Sequence, residues 1–391
     1  MKNSKFEFFL NKRNIYIIWA IVGVAMAMKQ YFAGDNPHAH INNFIIFKTS
    51  FYHLLQQKHL YDYHPNEYVD LFLYGPPFTV MIAPFAIVPT LSGVVLWNVA
   101  NSVLLVYALF ELPFFDDKTK AIISWLCLNS SITSLINVQF HGIVTALILF
   151  SYIFIKKEKD FWAALCIVLG TMTKLYGVVG LAFFFFSKNK LKLIASGLFW
   201  IAVLFVLPMA FSSPAYVLQS YQEWLAILVK KNAINVVLDN PYQDLSVMGM
   251  VRRIMSDATI SNLYFVLPAV LIFALGYTRY PLFSNTRYQL LMLSSALMMV
   301  VLASSGTEAS TLLIGFVGVI IWYQQSQQGS VEKTLFIFAL VVTSFGPTDL
   351  MPKFIRNEYL RKYALMIFPM LLVWLRVHWD MLSMKNEALI D

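Results

Sequence analysis

Continuous apolar runs alternate with short polar breaks along nearly the whole chain. The runs predict lipid-crossing helices at roughly 15–33, 92–112, 119–136, 141–156, 161–172, 175–187, 191–211, 261–277, 287–304, 309–325, 333–346 and 361–378. Crossing a ~30 Å hydrocarbon core takes about 20 apolar residues at ~1.5 Å each. The pair 161–172 and 175–187 falls short of that length. Either its flanks extend it, or the turn at Lys174 lies below the membrane surface. Strands of a β-barrel alternate apolar and polar over ~10 residues, and these unbroken runs exclude one. The expected fold is an all-α polytopic membrane protein of about twelve crossings, one integral membrane domain over 1–391 with no internal repeat.

Residues 34–76 interrupt this pattern. The stretch is polar and aromatic, and it holds five of the seven histidines (His38, His40, His53, His59, His64) with Asp35, Asp62, Glu67 and Asp70. The segment 77–89 that follows is apolar, but it is 13 residues long and bounded by Pro76-Pro77 and Pro89. That length suits a re-entrant or interfacial helix better than a crossing. Orientation then becomes consistent. Lys118/Lys120, Lys156/Lys157/Lys159, Lys188/Lys190/Lys192, Arg279/Arg287 and Lys333 all fall on cytoplasmic loops, the side that carries the Lys/Arg excess. Both termini are expected in the cytoplasm. The outer side receives 34–91, the long segment 212–260 and the loop 347–360, with the turns at Asn137–His141, Lys174 and Ser304–Ser310. Within 212–260, residues 214–232 read as an amphipathic helix on the membrane surface.

Composition sharpens the class. Apolar residues make up 59% and charged residues 13%, against about 45–50% and about 25% in soluble domains, so a soluble fold is excluded. The net charge of +8 is read as orientation and attraction to anionic lipid, with no nucleic-acid partner. Cys127 and Cys166 lie inside apolar runs, which leaves no disulfide framework and no cysteine metal site. Lys2, Lys5, Lys12 and Arg13 precede the first apolar run without a small-x-small cleavage pattern, so an uncleaved first span is expected.

Few residues remain to carry chemistry. Lys174, in GTMTKLYG, is a cation within an apolar region of roughly 25 residues, where a lysine costs about 2.5–3.5 kcal/mol at mid-membrane. It either snorkels to the outer interface or meets an anion at the mouth of a cavity, and the shortness of both flanking segments favours the second. Arg252 and Arg253 are outer-side cations suited to bidentate phosphate binding or to solvated faces. A general base for an alcohol must be a carboxylate or histidine. On the outer side the carboxylates are Asp35, Asp62, Glu67, Asp70, Asp239, Asp244, Glu308 and Asp349; Glu308 lies in SSGTEAST, between two spans with hardly any loop. Asn137, Gln139 and His141, in NVQFHG, either bind a polar ligand or satisfy helix ends. The histidines make no metal signature: HExxH is absent and His38-x-His40 is a strand-like spacing. No metal and no cofactor are expected.

An ordered set of short motifs adds to this reading. Leu60-Tyr61 is followed by Tyr74-Gly-Pro-Pro-Phe78, Ala83-Pro84 through Pro89, Leu96-Trp97-Asn98, Asn137-Val-Gln139 and Thr173-Lys174-Leu175. In this order and spacing the chain resembles the GT-C glycosyltransferases, and among them glycosyltransferase family 87, the polyprenyl-phosphate-mannose-dependent mannosyltransferases. The resemblance spans roughly residues 35–230. It implies a GT-C-like bundle whose long first outer loop, with helices along the membrane, covers a cavity open to lipid. It also implies an aspartate base soon after the first span and a polyprenyl-phosphate sugar donor. Three positions depart from the family's wording. Asn42-Asn43 stands where an aspartate is usual, His141 replaces the asparagine of a Gln-x-Asn turn, and Tyr176 follows Lys174-Leu175 in place of proline.

Together these readings predict a membrane hexosyltransferase, with mannose the sugar that the resemblance implies, acting on a glycan or glycolipid acceptor. It would sit in the inner membrane of a bacterium with its site facing the periplasmic or extracellular side. Asp35, Asp70 or Glu308 would be the catalytic carboxylate. Lys174, Arg252 and Arg253 would bind the donor phosphate, and Asn43, Tyr74, Asn137, Gln139 and His141 the sugar or acceptor. The alternatives are a transporter or flippase of lipid-linked sugars, which usually shows paired interrupted helices in matching halves, and a non-catalytic binder of such lipids.

Overall fold

A computed structural model describes residues 4–34 and 37–385; Asp35 lies outside them. The regular structure among the described residues is helical, with no strand. They group into two compact units.

The first unit runs through Glu111 and includes Ser134–Leu181 and Asn189–Lys231. After α1 (Ser4–Leu10), Asn11 opens α2 (Lys12–Tyr31) by accepting from the Arg13 and Asn14 amides, as an N-cap residue does. The polar stretch is partly helical: α3 (Pro37–His40), then α4 (Asn42–Gln56), ended by Gln57 in the left-handed region at φ 54°. α4 buries Phe44, Ile45, Ile46, Phe47, Phe51 and Leu54, so it is a core element. Irregular chain follows to Gly75. The 77–89 segment forms two short pieces, α5 (Pro76–Met81) and α6 (Ala83–Ala86). Neither, at ~1.5 Å per residue, approaches a membrane's thickness.

α7 (Thr90–Glu111) packs against α2 and against α9 (His141–Lys156). Between them in the chain lies α8 (Asp117–Ile136). Buried amides on α7 serve the helix ends around it. Asn98 donates to Leu135 O at 3.0 Å, and Asn101 Oδ1 accepts from the Ile143 amide at 3.1 Å. α10 (Asp160–Lys174) lies between α9 and α11 (Lys190–Val206). α12 (Pro214–Asn235) buries Val217, Ser220, Trp224 and Ile227, a stripe at helical spacing. It docks on the first loop through Tyr216 Oη to Lys58 O at 2.7 Å and Trp224 Nε1 to Leu73 O at 3.1 Å. The stretch 214–232 is therefore helical, with Trp224 turned onto the loop.

The second unit holds Leu112–Thr133, Ala182–Lys188 and the chain from Asn232. Beside most of α8, its α-helices are α13 (Val247–Met255), α14 (Leu263–Leu275), α15 (Thr286–Ala303), α16 (Leu312–Gln325), α17 (Ser330–Phe338), α18 (Lys353–Ile355) and α19 (Phe368–Ser383). α15 and α16 pair along their length, with Ser294 Oγ donating to Gly318 O at 2.5 Å. The run predicted to begin at 361 enters regular α-helix only at Phe368, where Pro369 occupies the first turn.

Helices thus form on each of the predicted apolar runs. Among the described residues, five helical stretches are long and apolar enough to cross a membrane alone: Thr90–Glu111, Lys190–Ala210, Leu263–Leu282, Thr286–Ala303 and Leu365–Ser383. His141–Lys156, Tyr176–Phe186 and Leu312–Gln325 are apolar but shorter, while α2 and α8 reach 20 residues and carry more polar and charged side chains.

Candidate active site

The 15 residues of α10 reach about 22 Å, short of a full crossing, and the helix stops at Lys174. Leu175 reverses the chain with φ 56°, its amide closing on Thr171 O at 2.9 Å. The returning segment lies so close that a Cβ on Gly177 would come within 2.4 Å of the Gly170 carbonyl carbon. Only glycine fits that contact.

Lys174 Nζ donates to Tyr74 Oη at 3.1 Å and to His141 Nε2 at 3.0 Å. An ammonium only donates, so His141 accepts at Nε2 and carries its ring proton on Nδ1. The same ammonium lies 5.0 Å from the Tyr74 ring centre and 5.6 Å from that of Tyr176, within cation–π range. Tyr74 Oη donates onward to Gln139 Oε1 at 3.4 Å. Tyr74, Gln139 and His141 are buried, and Lys174 is half-buried.

Local structure fixes these positions. The Gly75 amide donates to Thr173 O at 3.0 Å, and a Cβ at Gly75 would lie 1.9 Å from Met172 O. The glycine therefore lets the loop backbone rest against the last turn of α10. Tyr61 Oη holds Tyr74 O at 2.9 Å, while Phe47, Phe78 and Phe140 pack around the Tyr74 ring. On the other side, Gln139 and His141 follow a Schellman-type end of α8. The Val138 amide bonds Leu135 O and the Gln139 amide bonds Ser134 O, each at 3.1 Å. Val138 takes the left-handed position usual for glycine, φ 49°; strain of this kind in a β-branched residue is a mark of functional turns. Asn43 Nδ2 donates to Asn137 O at 2.8 Å and ties α4 to this turn.

Of the residues expected from sequence, Tyr74, Gln139, His141 and Lys174 meet directly, and Asn43 and Asn137 adjoin them through that one turn. Asp70, four residues before Tyr74, is half exposed, at φ 79°, with Lys231 Nζ 3.2 Å from its Oδ1. Arg252, Arg253 and Glu308 belong to the second unit. The Arg252 guanidinium is buried and bonds Asp244 Oδ2 at 2.7 Å, Ile260 O at 2.8 Å and Asn262 Oδ1 at 2.6 Å. Arg253 donates to Asn240 O at 2.9 Å, to Arg361 O at 3.2 Å and to Gln243 O. Burial lowers the Arg253 guanidinium from its ordinary value, and Asp244 opposes the shift. Glu308 accepts from Gln243 Nε2 at 2.9 Å.

Three positioning elements were not read from the sequence. Asn42 brackets Val69 through both backbone groups, at 2.6 and 2.9 Å, and so anchors the far end of the loop. Asn101 caps the first turn of α9 behind His141, and Gly75 seats Tyr74. The doubled Asn42-Asn43 was the available signal for the first of these.

The family model for glycosyltransferase family 87 matches residues 72–305. The match begins just ahead of Tyr74 and takes in the Lys174 cluster, Arg252 and Arg253, leaving Glu308 outside. A search of the curated proteins finds no match to this chain. With more than half of its length matched and its apolar helices in place, the chain belongs to glycosyltransferase family 87 and is a membrane glycosyltransferase.

Proposed function

We propose that this glycosyltransferase moves a hexose, mannose by the resemblance of its motifs, from a polyprenyl phosphate to a glycan or glycolipid acceptor at the outer membrane face. The observation that carries the reading is the Lys174 ammonium, held by Tyr74 and His141 where a short apolar helix ends. A lipid phosphate delivered through the bilayer would meet a cation there.

The acceptor hydroxyl attacks the anomeric carbon as the bond from that carbon to the phosphate oxygen breaks. The electron pair leaves with the lipid phosphate, whose growing charge Lys174 stabilises. Fixed charge of this kind is a leading source of rate in such transfers. The hydroxyl proton passes to a carboxylate of the first outer loop, Asp35 or Asp70. His141, Gln139 and Asn137 orient the sugar. In this reading Arg252 and Arg253 hold α13 to its neighbouring loops, since their donors already meet Asp244, Asn262 and main-chain carbonyls. The Lys/Arg-rich short loops lie in the cytoplasm of a bacterial cell, with both termini, and the site faces outward.

The test is transfer by purified protein in lipid, given radiolabelled polyprenyl-phosphate mannose and crude membrane acceptors. Label should move to acceptor and should fall in one of Asp35→Asn and Asp70→Asn. Failure of sugar to leave the donor, with both variants behaving as wild type, overturns the reading.

A further inference from the structure

The irregular part of the first loop carries a second cluster, apart from the residues around Lys174. His53 sits in the last turn of α4, and His64 and Glu67 lie on a turn closed by the Glu67 amide on His64 O at 2.9 Å. One ligand atom from each of the three lies within 4.8 Å of the other two. His53 Nε2 is 2.6 Å from Glu67 Oε2, and the two imidazole centres are 4.4 Å apart.

From these residues we infer a divalent-metal site of the zinc type in the loop, with His53, His64 and Glu67 as ligands. Two imidazoles and one carboxylate are a zinc donor set that leaves a fourth position for water. With bonds of ~2.0–2.1 Å, tetrahedral ligand atoms stand roughly 3.3 Å apart, a spacing the three side chains reach by small rotations. Two further observations point to a ligand. His53 is 2% exposed, yet its Nδ1 has no hydrogen-bond partner among the described residues. His64 Nε2 lies 2.8 Å from His59 O, which can only accept. That fixes the proton on Nε2 and leaves Nδ1 with its lone pair, the backbone-carbonyl arrangement common behind metal-bound histidines.

Lys58 donates to Glu67 Oε1. It occupies the carboxylate oxygen away from His53, so Glu67 binds the metal through Oε2 alone. A metal here joins α4 to the strip of chain that leads to Tyr74, and Tyr216 on α12 adds to the same junction through Lys58 O. The inference stands apart from the proposed donor and acceptor.

The test uses the full chain, purified without a histidine tag and kept free of chelator, with metal content measured by mass spectrometry. About one zinc per chain is expected. His64→Ala and Glu67→Gln should each lower it at least tenfold while eluting as monodisperse protein, and His59→Ala should retain it. Lys58→Met, which removes a competing cation, should bind zinc more tightly. Cobalt added to stripped wild type should give the intense visible bands of a four- or five-coordinate centre. Wild type without zinc, equal zinc in His64→Ala and Glu67→Gln, or a weak octahedral cobalt spectrum overturns the site.

Discussion

The Lys174 ammonium reaches Tyr74 Oη at 3.1 Å across a sequence separation of 100 residues. The contact joins the first loop to the end of α10 at the position proposed to meet the donor phosphate. Replacing Lys174 with Met keeps the side chain's bulk and removes its charge. Transfer from a polyprenyl-phosphate donor should drop on the order of 10²-fold or more, the size of losing one fixed donor to a developing anion. Lys174→Arg should recover part of it. Single-turnover assays in proteoliposomes check both.

Tyr74→Phe retains the ring packing against Phe47, Phe78 and Phe140 and deletes the hydroxyl between Lys174 and Gln139. A hydrogen bond to a charged group contributes about 1.5–3 kcal/mol, so a loss of roughly 10- to 100-fold in transfer is expected, with little change in melting temperature. An unchanged rate would remove Tyr74 from the site.

Gly75→Ala places a carbon 1.9 Å from Met172 O, whereas Gly197 has nothing within 4 Å. The first substitution should lower both thermal stability and transfer, because the loop must lift from α10 to make room. Gly197→Ala should match or slightly exceed wild type in stability, since alanine is favoured over glycine inside a helix by roughly 1 kcal/mol. Thermal melts of the two variants side by side make the comparison.

Asn43→Asp restores the residue type expected of the family near this position, but it turns a donor to Asn137 O into a carboxylate facing a carbonyl. Loss of the bond with an acceptor left unsatisfied costs about 1–3 kcal/mol. The variant should therefore melt lower and gain no activity. A rise in transfer would instead mark residue 43 as the missing base.

Arg252→Ala leaves Asp244 buried without its guanidinium partner, and breaking a buried pair from one side costs about 3–5 kcal/mol. The double variant with Asp244→Ala should recover part of that loss. A denaturation series comparing the two single variants with the double one gives the coupling.

Much of the helical layout was legible because lipid demands long apolar runs, and each predicted run carries a helix. The break at Lys174 was legible for the same reason: two adjacent runs were too short, and the chain does reverse at Leu175. The partners of Lys174 were less so. Tyr74 and His141 are distant in sequence, and their meeting depends on Gly75 resting against Met172 and on Val138 accepting a left-handed turn, neither of which leaves a periodic trace. Arg252 looked like a free outer cation because its acidic partner, Asp244, lies on an irregular stretch whose approach no pattern encodes. The meeting of His53, His64 and Glu67 was not legible for a related reason: ten residues separate the first two, seven of them irregular chain past the end of α4.

The Gly75–Thr173 bond has a mechanical consequence. It joins the residue after Tyr74 to the residue before Lys174, backbone to backbone. Tyrosine and lysine are therefore expected to move together. Any opening that admits a sugar-bearing lipid has to bend the chain upstream of Leu73, in the stretch moored by Asn42 at Val69 and by Trp224 at Leu73. Loosening those moorings would alter how fast substrate enters and product leaves, while the charge proposed to meet the phosphate keeps its place.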